Sequence, residues 1–189
     1  MNTRPKATGC IVTYNNADKI EKVVASILEQ TRDLDFRLII SDNMSADGTA
    51  DIIRQKFPQV TVVENHENGG FGKGHNSIMD RLTSDVHFIL NPDVIIHDDI
   101  LPQMAQWLLD HPGVVMATPQ LYFPDGHIQN LPRRKPTPWL LLARQLAPRF
   151  GGVMQKADEH YTMQDEDLTK VQDIQFCTCL LYTSDAADE

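Results

Sequence analysis

The stretch Val86-His87-Phe88-Ile89-Leu90-Asn91-Pro92-Asp93-Val94 decides the fold, because an apolar run is followed at once by a polar turn that carries a carboxylate. A short apolar run bounded by a turn signal predicts a buried strand, and Asp93 then lies just beyond its carboxyl end. Open α/β sheets bind their ligands at the carboxyl ends of the strands. The stretch therefore predicts a parallel sheet with a ligand site at this edge.

Three further polar clusters follow strand-like runs in the same way. Because the carboxyl ends of parallel strands meet at one edge of a sheet, we expect all the clusters to form one site. The three upstream clusters are Thr13-Tyr14-Asn15-Asn16, the segment from Asp42 to Gly48, and the segment from Asn68 to Asn76.

Strand-like runs alternate with helical patterns through the first two thirds of the chain, which predicts a mostly parallel central sheet flanked by helices, an α/β fold. The first helix has apolar residues spaced to form one buried face, at Ile20, Val23, Val24, Ile27 and Leu28. The predicted strands are 7–12, 36–40, 60–63, 86–90 and 114–117, and the predicted helices are 17–30, 48–57, 74–82 and 98–109.

The pattern changes after Pro119. The turn Pro124-Asp125-Gly126 predicts a hairpin between residues 121–123 and 127–129. Three prolines favour irregular structure over residues 132–138, and the polar, acidic segment 154–170 is predicted to be mobile. The apolar segment 139–150 would either lie on a membrane surface or belong to the core.

The last eleven residues, from Cys179 to Glu189, differ from the rest. They resemble the translation of a sequencing adapter joined after Thr178, so we expect a single domain over 1–178, incomplete at its C-terminus, and a non-native tail over 179–189. The alternative is a genuine, flexible acidic tail.

The charge balance limits the partners. With 17 basic and 26 acidic residues the net charge is −9, which disfavours nucleic acid and implies that an anionic ligand is held locally, by a metal or by backbone amides. Three cysteines without zinc-type spacing favour a reducing, cytosolic compartment. No signal peptide is evident, and no run approaches the roughly 20 apolar residues that span a bilayer.

Side chains of the first clusters suit a nucleotide. Asp42 could accept a hydrogen bond from the imide N–H of a pyrimidine, and Tyr14 could supply a flat face or a hydroxyl group. Thr13 and Asn15 could hold base or ribose atoms. The alternative is that Asp42 and its neighbours cap the next helix, and both roles can hold together.

The glycine-rich segment 69–74 matches neither a P-loop nor the dinucleotide-binding pattern. It is expected to be a flexible loop that offers backbone N–H groups, Lys73 and Asn76 to an anion. A tight turn that permits close packing is the alternative.

Asp93 is the candidate ligand for Mg²⁺ or Mn²⁺, which bind through one or two carboxylates plus substrate phosphates. A role in a turn or as a helix cap is the alternative.

Arg133 and Arg134 would either contact a phosphate or belong to a solvated loop. The seven histidines show no ligand spacing and are expected to be scattered core or surface residues.

The order and spacing of the clusters resemble the family 2 inverting glycosyltransferases of GT-A fold. Downstream, Asp125-Gly126-His127-Ile128-Gln129 with Arg133 to Thr137 resembles the rhamnosyltransferase-type branch of bacterial surface polysaccharide synthesis. The motifs that carry the family resemblance are Ile11 to Asn15, Asp42-Asn43-x-Ser45-x-Asp47-Gly48, Asn68-x-Gly70-Phe71-Gly72-x-Gly74-x-Asn76 and Asn91-Pro92-Asp93.

The resemblance implies a role for each motif. Asp42 would contact the base of a nucleotide-sugar, and the Asp-x-Asp motif of the family, here Asn91-Pro92-Asp93, would hold a divalent cation on the diphosphate. Since Asp93 alone keeps the carboxylate, weaker metal binding is expected. The residues implied to bind the nucleotide are Thr13, Tyr14, Asn15, Asp42, Asn43, Gly70, Phe71, Lys73, Asn76 and Asn91.

The family mechanism is direct displacement, in which an acidic general base deprotonates the acceptor hydroxyl. The resemblance places that base beyond Thr178, so we assign no catalytic residue and expect the chain to bind donor better than it turns over. Arg133 and Arg134 remain candidate contacts to the acceptor or the diphosphate.

The implied partners are a dTDP- or UDP-linked donor and a saccharide or lipid-linked acceptor, which would place the protein in the cytoplasm or peripherally at the inner face of the membrane. Two other functions stay open. One is a catalytically incomplete module that binds nucleotide-sugars. The other is a nucleotidyltransferase, although that class would have a basic glycine-rich signature soon after the first strand, where this chain has Thr13-Tyr14-Asn15-Asn16.

Overall fold

The computed structural model describes residues 4–123, 126–129, 132–135, 137, 159–167, 170–171, 173–174, 176–177 and 181–185. Two compact units divide the chain. The first contains Met1–Pro119 together with Leu180–Glu189, and the second contains Gln120–Cys179. These boundaries differ from the predicted division at Thr178, which stays a prediction.

The first unit is built on a six-stranded sheet, whose strands are β1 (Lys6–Thr13), β2 (Asp35–Asp42), β3 (Thr61–Glu64), β4 (Val86–Leu90), β5 (Met116–Ala117) and β10 (Leu181–Asp185). Their order in the sheet is β3-β2-β1-β4-β10-β5. The first four strands are parallel to one another, and β10 is antiparallel to its two neighbours.

Helices cover both faces of this sheet. Three of them, α1 (Ile20–Gln30), α2 (Thr49–Lys56) and α4 (Ile100–Asp110), bury apolar residues in one large core cluster with β1, β2 and β4. The fourth, α3 (Gly70–Asn76), packs against β1 and β2 beside a smaller cluster formed by Cys10, Val12, Ile39 and Ile78. The predicted α/β architecture is therefore confirmed.

The first helix buries the predicted apolar face, with Ile20, Val23, Val24 and Ile27 buried and Leu28 partly buried. It begins at Ile20 rather than at residue 17, because residues 17–19 form a turn that leads into it. The fourth helix likewise begins two residues later than predicted, at Ile100.

The prediction of a loop at 69–74 followed by a helix over 74–82 is wrong. The glycine-rich segment itself forms α3, and only a short 3-10 helix, Met79–Arg81, follows. Gly70 has a φ of 78°, a left-handed conformation that glycine adopts without strain. A Cβ atom added to Gly74 would lie 2.5 Å from Cγ1 of Val12, so this glycine lets α3 approach β1 closely.

The second unit contains two small antiparallel pairs of strands. The pair β6 (Leu121–Tyr122) and β7 (Ile128–Gln129) confirms the predicted hairpin. The pair β8 (Pro132–Arg133) and β9 (Phe176–Cys177) shows that the prediction of irregular structure from Pro132 is wrong at its start, since a proline is tolerated at the first residue of a strand.

Of the polar segment 154–170, residues 159–167 and 170 are described, with a helical turn at 159–161. The mobility expected for this segment stays a prediction. The apolar segment Trp139 to Phe150 lies outside the described residues. Where the chain is described, none of its helices has both the length and the apolar character needed to cross a bilayer.

The chain continues into the sheet beyond Cys179. Strand β10 pairs along the whole of β4, from Leu181 opposite Leu90 to Asp185 opposite Val86, and its other edge pairs with β5. The segment predicted to be a non-native tail thus supplies an inner strand of the sheet. Its origin is a question of sequence that strand pairing does not test, so that part stays a prediction.

The substitution Gly74→Ala should destabilise the first unit by about 1–3 kcal/mol, because the new methyl group overlaps the side chain of Val12. Urea unfolding followed by circular dichroism measures this change.

Gly72→Ala is the matched control, because it lies in the same helix and a Cβ atom there meets nothing within 4 Å. We expect this variant to gain about 0.5–1 kcal/mol from the higher helix propensity of alanine. Adding Val12→Ala to the Gly74→Ala variant should recover part of the loss. Equal stabilities for the two single variants would contradict the close-packing role of Gly74.

Candidate functional site

The predicted polar clusters lie at one edge of the first unit, where strand order reverses. Strands β2 and β3 extend from one side of β1, and β4 pairs with its other side. The register sets Thr13 beside Asp42 and Ile11 beside Leu90, so the three strands end at nearly the same level. This topological switch point is where open α/β sheets form a ligand crevice.

A serine hydroxyl joins the loops that follow β1 and β2. The backbone N–H of Asn15 donates to Oγ of Ser45 at 2.9 Å, and the Ser45 hydroxyl donates to Oδ1 of Asp42 at 2.6 Å. The backbone N–H of Ser45 donates to Oδ2 of the same carboxylate at 2.9 Å. We call this chain of contacts the Ser45 relay, and through it both oxygens of the buried Asp42 accept hydrogen bonds.

A second hydroxyl repeats the pattern four residues later. The backbone N–H of Asn16 donates to Oγ1 of Thr49 at 3.0 Å, and that hydroxyl donates to Oδ1 of Asp47 at 2.5 Å. The N–H groups of Thr49 and Ala17 also donate to the Asp47 carboxylate. We call this the Thr49 relay.

Asp47 lies just before Gly48, the N-cap residue of α2, and its carboxylate accepts the N–H of Thr49 in the first turn of that helix. Desolvation opposes ionisation of Asp47, but the hydrogen bonds from Thr49 and Ala17 outweigh it and lower the pKa of the carboxyl group. Capping therefore belongs to Asp47, which leaves Asp42 for another role.

The loop after β1 is held in an unusual conformation. Asn15 has a φ of 54°, in the left-handed region that asparagine tolerates better than most residues. Its Oδ1 atom accepts the N–H of Ala46 at 2.9 Å, and Nδ2 of Asn16 donates to the carbonyl of Tyr14 at 2.8 Å. These contacts leave the side chain of Tyr14 about half exposed, at 49%, at the edge of the crevice.

Asn43 connects the end of β2 to α3. Its Nδ2 atom donates to the carbonyl of Gly70 at 3.1 Å, and its Oδ1 atom accepts from Nδ2 of Asn65 at 2.8 Å. Its backbone N–H donates to the carbonyl of Thr13 at 2.8 Å. The side-chain amide of Asn43 therefore binds other residues of the protein, and it holds α3 against the ends of the strands.

Asn65 was missed by the sequence reasoning. It follows β3 directly, and its Nδ2 atom also donates to Oγ of Ser41 at 2.8 Å. The signal that found the other clusters, a polar residue just after a strand-like run, applies to Asn65 as well.

The residues predicted in the glycine-rich segment lie on α3 instead of a loop. Lys73 forms an ion pair with Glu67, and the hydrogen bond from Lys73 lowers the pKa of that glutamate. Phe71 is partly exposed and contacts His75 edge to face, with ring centroids 4.4 Å apart; Asn76 is exposed at the end of the helix. Helical hydrogen bonding occupies the N–H groups of the last turn of α3, whereas a helix leaves the N–H groups of its first turn without helical partners. That these groups bind an anion stays a prediction.

The end of β4 carries the candidate metal ligand. Asn91 and Pro92 are half-buried, and the Asp93 carboxylate is exposed three residues beyond Leu90. Beside this strand end, Thr13 is buried, and its hydroxyl has no hydrogen-bond partner among the described residues. An orphan hydroxyl group at the switch point suits contact with a ligand.

No group of three or more histidine, cysteine, aspartate or glutamate side chains among the described residues could hold a metal ion. A divalent cation here would need Asp93 plus oxygen atoms from a phosphate and from water. Mg²⁺ commonly binds in this way, so the donor set at Asp93 fits such an ion only in the company of a substrate.

Arg133 and Arg134 belong to the second unit. The Arg134 guanidinium forms ion pairs with Asp165 at 2.8 Å and with Glu166 at 2.5 Å. Hydrogen bonds from Arg134 and then His160 lower the pKa of Asp165 to about 2, which makes that carboxylate a weak base. Arg134 is therefore already neutralised, which disfavours the phosphate contact predicted for it.

The model of the protein family "Glycosyl transferase family 2" matches residues 9–184, which is most of the sequence. The chain belongs to glycosyl transferase family 2. TuaG of Bacillus subtilis is a curated relative of this family 2 chain and is 30% identical to it over 112 residues. Its name assigns it to teichuronic acid biosynthesis as a glycosyltransferase. The match covers 58% of this chain and 44% of TuaG. The glycosyltransferase SunS, from the SPbeta prophage of the same organism, is 28% identical over 89 residues, or 47% of this chain and 20% of SunS.

Solved structures of glycosyltransferases share the fold. The mannosyltransferase PcManGT from Pyrobaculum calidifontis, in complex with GDP-Man and Mn²⁺, superposes with a TM-score of 0.58 at 29% identity, over 66% of this chain and 37% of that one. S. aureus TarS 1-349 in complex with UDP gives a TM-score of 0.52 at 20% identity, over 63% and 39% of the two chains. This family 2 chain therefore has the GT-A fold, and it spans less than half the length of these relatives.

Two buried histidines lie on the α3 side of the sheet. His75 on α3 and His87 on β4 are each less than a tenth exposed, and both ring nitrogens of His75 and Nδ1 of His87 have no hydrogen-bond partner among the described residues. Burial, and then the charge of His87, lower the pKa of His75 to about 4. Burial also lowers the pKa of His87 to about 4, against a hydrogen bond with the Thr8 backbone.

Because of these two histidines, we expect acid to lower the free energy of unfolding. An unfolded histidine takes up a proton near pH 6.5, whereas folded His75 and His87 resist protonation until about pH 4. The stability that the two neutral histidines contribute is thus fully present above pH 6.5 and is lost as the pH falls to 4. The loss is on the order of 3 kcal/mol for each histidine.

Urea unfolding at several pH values measures this slope. His75→Gln and His87→Gln should each flatten it, because the replacement does not titrate. His66→Gln, at an exposed position, should leave it unchanged. A slope that survives in both buried variants would show that other groups cause the acid sensitivity.

Proposed function

We propose that this chain is the donor-binding part of a glycosyltransferase, which transfers a sugar from a nucleotide diphosphate donor to a saccharide or lipid-linked acceptor by inverting displacement. The observation that carries the proposal is the meeting of Thr13, Asp42 and Asn91-Pro92-Asp93 at the switch point of the sheet. Membership of glycosyl transferase family 2 supports the class of reaction.

Asp42 is proposed to recognise the base. A carboxylate offers about four acceptor positions, and Ser45 fills one on each oxygen, so Asp42 can still accept the imide N–H of uracil or thymine. Tyr14, half exposed on the neighbouring loop, would cover a flat face of the base. The unpartnered hydroxyl group of Thr13 and the side chain of Asn15 would contact the base or the ribose.

Asn43 is proposed to act on the nucleotide indirectly. Its side chain binds Gly70 and Asn65, so it would act on the nucleotide by holding α3 in place. Gly70, Phe71, Lys73, Asn76 and Asn91 complete the proposed surroundings of the nucleotide, with Phe71 and Asn76 exposed for contact.

Asp93 is proposed to hold a divalent cation, Mg²⁺ or Mn²⁺, together with the diphosphate of the donor. Such an ion would neutralise charge on the departing diphosphate. Mn²⁺ accompanies GDP-Man in PcManGT, which supports a cation at this place in the fold. Asn91 stands where many family members have a second carboxylate, so the cation would bind weakly until the donor arrives.

The finer assignments follow the sequence motifs. The resemblance of segment 125–137 to the rhamnosyltransferase-type branch supports dTDP-rhamnose as the donor and surface polysaccharide synthesis as the pathway, with UDP-linked sugars as the alternative. A lipid-linked acceptor would bring the protein to the inner face of the cytoplasmic membrane. The general base is proposed to come from a part of the protein other than the residues described.

Calorimetric titration with UDP and with dTDP tests the proposal. Asp42→Ala should weaken binding by about tenfold, or 1.4 kcal/mol, both with Mn²⁺ and with EDTA, because the contact to the base does not involve the metal. Asp93→Ala should weaken binding only with Mn²⁺.

Asp33→Ala is the matched control, because it removes one exposed carboxylate from the turn before β2, at the opposite edge of the sheet. Its binding should equal that of the unaltered chain. If Asp42→Ala and Asp93→Ala respond identically to EDTA, the proposed division between base and metal is wrong. Binding of nucleoside triphosphates in preference to both diphosphates would favour a nucleotidyltransferase instead.

A further inference from the structure

We propose that Ser45 is a positioning residue for base recognition, which fixes the Asp42 carboxylate and the Tyr14–Asn15 loop in one arrangement before the nucleotide binds. This inference rests on the proposed function. It assigns to Ser45 a part in selecting the nucleotide, in addition to the hydrogen bonds that it forms within the loops.

Ser45 holds the carboxylate at two points. Its backbone N–H and its hydroxyl group donate to different oxygen atoms of Asp42, at 2.9 and 2.6 Å. Two donors from one residue fix both the rotation of the carboxylate and the lone pairs that remain available to a ligand. A carboxylate held in this way presents acceptors only, so it favours a base edge that offers an N–H group.

The same hydroxyl group also holds the other side of the pocket. Because its own proton is directed to Asp42, its lone pair accepts the N–H of Asn15 at 2.9 Å. A second hydrogen bond joins the two loops, and here the donor is on the loop after β2: the N–H of Ala46 donates to Oδ1 of Asn15. The left-handed turn at Asn15, which sets the place of Tyr14, is therefore linked to the orientation of Asp42.

The Thr49 relay provides an internal comparison. Thr49 also accepts an N–H from the loop after β1 and donates to a carboxylate from the loop after β2. Its carboxylate is that of Asp47, which caps α2 and has no part in the proposed base contact. The two hydroxyl groups form the same kinds of hydrogen bond. The Thr49→Ala variant therefore measures what such a relay contributes to stability, without an effect on the base contact.

The experiment compares Ser45→Ala, Thr49→Ala and Ser45→Thr by calorimetric titration with UDP and CDP and by urea unfolding. CDP is informative because cytosine presents an acceptor where uracil presents its imide N–H. Ser45→Ala should raise the Kd for UDP about tenfold and should reduce the preference for UDP over CDP. Ser45→Thr, which keeps the hydroxyl group, should restore both.

Thr49→Ala should lower the free energy of unfolding but leave the Kd for UDP within about twofold, since only the capping network changes. An unchanged Kd and an unchanged preference in Ser45→Ala would overturn the inference. So would an equal loss of affinity in Ser45→Ala and Thr49→Ala. If Asp42→Ala weakens binding while Ser45→Ala does not, the proposed function stands without this inference; if the unaltered chain binds neither UDP nor dTDP, both fail.

Discussion

The parallel pairing of β1 with both β2 and β4 is the constraint on which the rest of the first unit depends. It brings Thr13, Asp42 and Leu90 to nearly the same level of the sheet, although almost eighty residues separate the first from the last. Parallel strands need crossover connections, so α1, α2 and α3 are placed by the same pairing. The candidate site is thus a product of strand register.

Register brings the loops together, but hydroxyl groups define their conformation. The Ser45 and Thr49 relays each pass from an N–H after β1 to a carboxylate, which is that of Asp42 at the end of β2 or of Asp47 just beyond it. Backbone N–H groups that do not join a sheet still need partners, and short polar side chains provide them locally. The polar clusters that suggested a binding site therefore also supply hydrogen-bond acceptors to the loop backbone, as the Asp47 carboxylate does for Ala17 and Thr49.

The sequence predicted the alternation of strands and helices and most of the polar clusters, because periodicity and turn residues are local signals. It failed at α3, where Gly74 packs closely on Val12 of β1, a neighbour that the local pattern does not indicate. Nor does the local pattern indicate the ion pairs of Arg134, whose partners lie more than thirty positions away. Contacts distant in sequence decide which candidate side chains are available to a ligand.

Strand β10 occupies its place beside β4 through backbone hydrogen bonds, which depend little on side-chain identity. Without β10, this edge of β4 would leave its backbone N–H and C=O groups unpaired. An open edge of this kind is a template for aggregation, and proteins that keep such edges cover them. Pairing with β1 on one side and β10 on the other thus leaves β4 without a free edge that could recruit a further chain.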